Sequence, residues 1–179
     1  MSDVSNLKAT FGLPAAYAGR GHDWAAIEGS LEVSLPADYK ELMGALGGGY
    51  VDGYLYVLEP GCPNRFYDLA RLTEERTEAL DMLWSEGEAR PRRLMELGGR
   101  LVPWATTDNG EYLYWHAVDG LAPEDWPTLI NEARGEEWEF FEPGCVAVLR
   151  GLLSREFSSE ILSSSFPSTP HLFQSFADL

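Results

Sequence analysis

The sequence predicts an α+β fold: a single domain in which an antiparallel sheet of about five to six strands carries helices mainly on one face. Three observations predict it. Helical periodicity comes first along the chain, a series of strand-like runs follows, and one more helical stretch closes it; this is the order expected when helices cover one sheet. An Asn-Gly pair stands between two alternating apolar runs, a strong local hairpin cue. Hydrophobic residues make up 45% of the 179 positions, with six Trp, eight Tyr and eight Phe, enough apolar area to offset the conformational entropy of one packed domain.

Residues 1–22 are small and polar, with Gly12, Pro14, Gly19 and Gly21, and read as a loose lead-in. Asp23 is suited to N-cap a short helix to Leu31, with Trp24, Ile27 and Leu31 at helical spacing. A second helix starts at Pro36, whose missing N–H is harmless in a first turn. Asp38 suits its positive end, and Gly47-Gly48-Gly49 stops it. Tyr50 to Leu58 reads as a strand closed by Glu59-Pro60-Gly61. Phe66 to Leu72 is a connector, and Thr73 to Gly87 a third helix with Thr73 as its N-cap. Arg100–Thr107 and Glu111–Val118 form the hairpin. Trp126–Asn131 and Glu136–Phe141 add two strands, Gly144–Leu162 a closing helix, and residues 163–179 a tail whose phenylalanines dock part of it onto the body. The organisation is therefore a lead-in (1–22), one α+β domain (23–162) and a partly docked tail (163–179).

Composition narrows function. Thirteen bases against 29 acids give a formal charge of −16. Such a chain is repelled by nucleic acid, which is bound by neutralising phosphates, and by anionic lipid surfaces. It attracts basic proteins, although acidity also simply keeps a protein soluble. Cys62 and Cys145 form no metal or redox spacing. The opening lacks a basic lead and apolar run of the secretory type, and no stretch reaches the roughly 20 apolar residues of a membrane span. The expected location is cytoplasmic.

No catalytic constellation emerges. The triple glycine follows a helix and lacks the Lys-Ser/Thr of a phosphate loop. His22, His116 and His171 are scattered, with no pair on one helical face. There is no nucleophile elbow. Asp108, Asn109 and Glu111 are accounted for by turn chemistry and supply too few oxygens for calcium. No cofactor or metal is expected, and the chain reads as a non-enzyme. In the hairpin, a two-residue turn at Asn109-Gly110 sets Asp108 opposite Glu111 and Trp104 opposite Trp115, making the two indoles neighbours on one face. They form either a core cluster or the wall of a recognition groove.

Trp24, Ile27 and Glu28, then Leu35-Pro36-Ala37-Asp38-Tyr39 and Gly47-Gly48-Gly49, resemble the opening of the SUKH superfamily, the Smi/Knr type. Leu101 to Gly110 with Tyr112 and Trp115 resembles its central hairpin, and Trp138, Glu139 and Phe140 its last strand. The resemblance spans Trp24 to Leu162; the lead-in, the Arg-bearing segment from Thr73 to Arg100 and the tail depart from it. It implies a non-enzymatic α+β domain. Bacterial members are commonly immunity proteins that occlude a toxin domain, often a nuclease, and an acidic chain suits a basic toxin. The fungal members imply the alternative, an intracellular scaffold or regulatory module. Two lysines against 11 arginines tilt the expectation towards a GC-rich bacterium, and so towards immunity. The expected partner-binding residues are Asp52, Trp104, Asp108, Glu111 and Trp115.

Overall fold

The computed structural model describes residues 2–179. Its helices are α1 (Asp3–Thr10), α2 (Trp24–Leu31), α3 (Ala37–Ala45), α4 (Leu69–Ser85), α5 (Arg92–Leu97) and α6 (Cys145–Leu153). The strands are β1 (Gly49–Val51), β2 (Leu55–Val57), β3 (Arg100–Thr107), β4 (Tyr112–Ala117), β5 (Thr128–Asn131), β6 (Trp138–Phe141) and β7 (Phe173–Ser175). They form one antiparallel sheet in the order β6-β5-β4-β3-β2-β1-β7. The fold is α+β in a single compact domain. Six strands meander and the tail supplies the seventh.

Seven strands rather than five or six arise in two places. The run Tyr50–Leu58 is a hairpin, because Asp52 and Gly53 take positive φ of 51° and 63° and turn the chain between β1 and β2. Asp-Gly is the same kind of cue as Asn-Gly. The second addition is β7, which pairs with β1. The triple glycine serves both features. Gly47, at φ 75°, stops α3. A Cβ on Gly48 would lie 2.9 Å from the Phe176 ring, and one on Gly49 would lie 2.5 Å from the Phe173 ring and the Gln174 carbonyl oxygen. Those two glycines make room for the tail.

The helices differ from expectation where capping decides. Residues 1–22 hold α1, capped by Ser2, whose hydroxyl accepts from the Ser5 N–H. Helix α4 starts four residues early because Asp68 caps it, accepting from the Arg71 N–H at 2.8 Å. Thr73 lies inside, its hydroxyl donating to the Leu69 carbonyl. Helix α5 follows Pro91, a segment with no strong periodicity. Helix α6 ends at Leu153 rather than Leu162: Arg155 takes φ 59°, and the Phe157 N–H turns back onto the Gly151 carbonyl at 3.0 Å.

One sheet face carries the main core. Val51, Leu55, Val57, Val102, Leu113, Trp115 and Ile130 pack there with Leu7 of α1, Leu31 of α2, Leu42 and Met43 of α3, and Leu149 and Leu152 of α6. On the other face, Leu80 of α4 and Leu94 of α5 cover Leu101, Tyr114 and Leu129. That cover spans the β3–β6 side. Over β1 and β2 the second face is left half open, with Tyr50 and Tyr56 partly exposed. No helix among the described residues is long and apolar enough to cross a membrane.

A candidate partner-binding face beside the 108–110 hairpin

The hairpin between β3 and β4 turns through three residues, Asp108–Gly110. The Thr107 N–H donates to the Glu111 carbonyl at 3.1 Å and the Gly110 N–H to the Thr107 carbonyl at 3.1 Å. Thr107, not Asp108, therefore faces Glu111. A bulge lies between Pro103 and Ala105, with Trp104 as its extra residue, so Trp115 pairs with Val102. The expected Trp104–Trp115 pair is thus broken by one residue in the turn and one in the bulge.

Both indoles are 0% exposed and belong to the main core. Trp115 meets Tyr39 edge-on, with ring centroids 4.9 Å apart. Neither can touch a partner, so as contact residues Trp104 and Trp115 are corrected: they hold the sheet from beneath. Glu111 is 5% exposed. Its carboxylate accepts from the Tyr54 hydroxyl at 2.9 Å and from the Thr107 hydroxyl, and the Tyr54 oxygen in turn accepts from the Ser163 N–H. Asp52 turns its carboxylate to the tail, accepting from the Leu172 N–H at 2.8 Å and meeting His171 Nδ1 at 2.8 Å. Glu111 and Asp52 are thus committed to internal bonds.

Asp108 is the exposed member of the expected set. Its two oxygens accept from the Tyr50 hydroxyl at 2.6 Å and the Tyr56 hydroxyl at 2.7 Å. Burial, and then the Asp108 carboxylate, push both phenols above their ordinary pKa, which keeps them protonated as donors. These tyrosines open a column of stacked rings: Tyr50–Tyr56 at 4.3 Å, Tyr56–Tyr67 at 4.4 Å and Tyr67–Phe176 at 4.8 Å. Phe66 stands beside it, 60% exposed. Tyr50 and Tyr56, across the β1–β2 register, would have been legible had the Asp52-Gly53 turn been read. Tyr67 and Phe176 come from distant 3-10 turns and carry no local signal.

Two depressions flank the hairpin tip and share Asn109. The first, of about 410 Å³, is lined by Tyr56, Phe66, Tyr67 and Tyr112, with the carboxylates of Glu75 and Asp108 and no base. The second, of about 580 Å³, holds Glu111, Glu132, Glu137, Glu139 and Glu160 against one base, Arg134. Within it the Glu132 carboxylate accepts from the Glu137 N–H, and that of Glu139 from the Ser159 hydroxyl and the Glu160 N–H.

The remaining chemistry is dispersed. Among the described residues there is no group of three or more His, Cys, Asp or Glu side chains placed to hold a metal ion. Cys62 and Cys145 are free and buried, and burial pushes both thiols up, away from the reactive thiolate. His22 meets Glu59, and His116 meets the Gly98 carbonyl at 2.8 Å.

The fold and this face define a class: an α+β domain whose exposed chemistry, carboxylates around an aromatic shelf, suits protein binding. The chain belongs to the SUKH family. Residues 22–140 match its model SUKH_6, described as SMI1-KNR4 cell-wall, and domains of this family are generally non-catalytic. No curated protein and no solved structure matches the chain.

Proposed function

We propose that this chain is a non-enzymatic, cytoplasmic immunity protein that neutralises a basic, nuclease-type toxin domain by covering the surface the toxin offers to its substrate. The observation that carries this reading is the open, acidic and aromatic face at Asp108 on a chain of charge −16. A nuclease must present Lys and Arg to phosphates, and carboxylates meeting that surface steer encounter and exclude wrong partners. Occlusion needs no reacting group. The family's cell-wall description favours a second reading, a regulatory or scaffold module with several weaker partners.

The test is capture from the host lysate at low and at roughly 0.3 M salt, where exposed ion pairs are strongly screened, followed by co-expression of the captured protein. One stoichiometric basic partner whose toxicity this chain abolishes supports immunity. Several substoichiometric partners lost at the higher salt, with no toxicity to rescue, favour the regulatory module.

A further inference from the structure

We infer that the groove beside Asp108 is an arginine slot, taking a guanidinium group from the partner against Phe66 and pairing it with the Asp108 carboxylate; this rests on the reading that the partner is a basic protein. The groove is lined by two carboxylates, four aromatic rings and no base. Flat apolar walls beside a fixed carboxylate suit a planar fork of donors better than the compact, strongly hydrated ammonium of lysine.

The protein already treats its own arginines this way around the rim. Arg65 lies over Phe66 at 5.0 Å and Arg76 over Tyr112 at 4.5 Å, while Arg71 pairs with Glu75 at 2.7 Å. Asp108 is the groove carboxylate left without a cation: among the described residues no Lys, Arg or His nitrogen lies within 4.0 Å of it. Two phenol bonds fix its orientation, yet each oxygen keeps a lone pair, so a bidentate pair forms without reorganising the site. The inner rings of the column, Tyr56 and Tyr67, are stacked on both sides and Tyr112 carries Arg76. The incoming group therefore meets Phe66, which stays 60% exposed with Arg65 over its ring. Across Asn109, Glu132, Glu137, Glu139 and Glu160 of the second depression take the cations that flank that arginine in the partner's sequence.

The test titrates the full chain with a capped tri-arginine peptide and, separately, its tri-lysine counterpart, followed by amide NMR. The peptides carry equal charge, so general attraction to an acidic protein cancels in their ratio. The expected result is about three- to tenfold tighter binding of the arginine peptide, with shifts at Phe66 and Asp108–Gly110. Asp108→Asn and Phe66→Ala each erase the preference. Phe66 is exposed, so its variant keeps the test open if Asp108→Asn perturbs the tyrosines. Glu137→Gln in the neighbouring cleft weakens both peptides alike and leaves the ratio standing. Equal affinities, a preference that survives both groove variants, or shifts on another face would overturn the slot. Loss of the slot with toxin rescue intact refutes this inference alone, whereas an arginine preference with no basic partner in the host refutes the occlusion reading.

Discussion

Trp104→Ala separates a side chain that supports the proposed binding face from one that forms it. The indole is 0% exposed within the main core. Removing about 150–250 Å² of buried aromatic surface corresponds to roughly 4–6 kcal/mol as an upper bound, and measured Trp→Ala losses in cores run about 3–5 kcal/mol. Its Nε1–H has no acceptor, so truncation strands no partner, and the expected loss is about 3–4 kcal/mol. For a chain of this size that lowers Tm by about 6–16 °C. Urea titration followed by far-ultraviolet circular dichroism measures it, with an unchanged slope showing that unfolding still exposes the same surface. Binding of the partner, measured well below the new midpoint, should stay as in the parent. A stability loss under about 1 kcal/mol with weakened binding would refute the placement of Trp104 beneath the face.

Asp52→Asn tests the tail clamp without straining the turn, because Asn tolerates the positive φ of that position. It should raise amide hydrogen exchange across His171–Phe176 and cost about 1–2 kcal/mol; unchanged exchange there would mean that Asp52 does not hold β7. Stability should also fall on acidification from about pH 7.5 to about pH 5.5. Burial holds the imidazoles of His22 and His116 below the ordinary value, so below about pH 6.5 the unfolded chain binds protons that the folded one refuses. Urea midpoints across that range check it. His116→Gln, which keeps a donor for the Gly98 carbonyl, should flatten the loss, and an unaltered slope would exclude His116 as a source.

What the sequence determined by itself was local. Helices α2 and α3 follow from Asp23, Pro36 and apolar residues at helical spacing, and the β3–β4 hairpin from Asn109-Gly110, because caps and turns act over a few residues. The exposure of Asp108 was legible for the same reason: a charged residue at a hairpin tip has no core to enter. The hairpin at Asp52-Gly53 and the α4 cap at Asp68 are also written locally, in signals weaker than the apolar runs beside them.

Tertiary structure decided the rest. One extra turn residue and the bulge at Trp104 shifted the register, and a shift of one residue changes which side chains share a face. Whether Glu111 faced a partner or the interior depended on Tyr54 and Thr107, and for Asp52 it depended on a tail more than a hundred residues away. The aromatic column depended on Tyr67 and Phe176, drawn together only after β7 settled into the space left by Gly48 and Gly49. Chain neighbours set turns and caps. Burial and exposure are set by packing between segments distant in sequence, and that packing turned one half of a sheet face into an open, acidic surface.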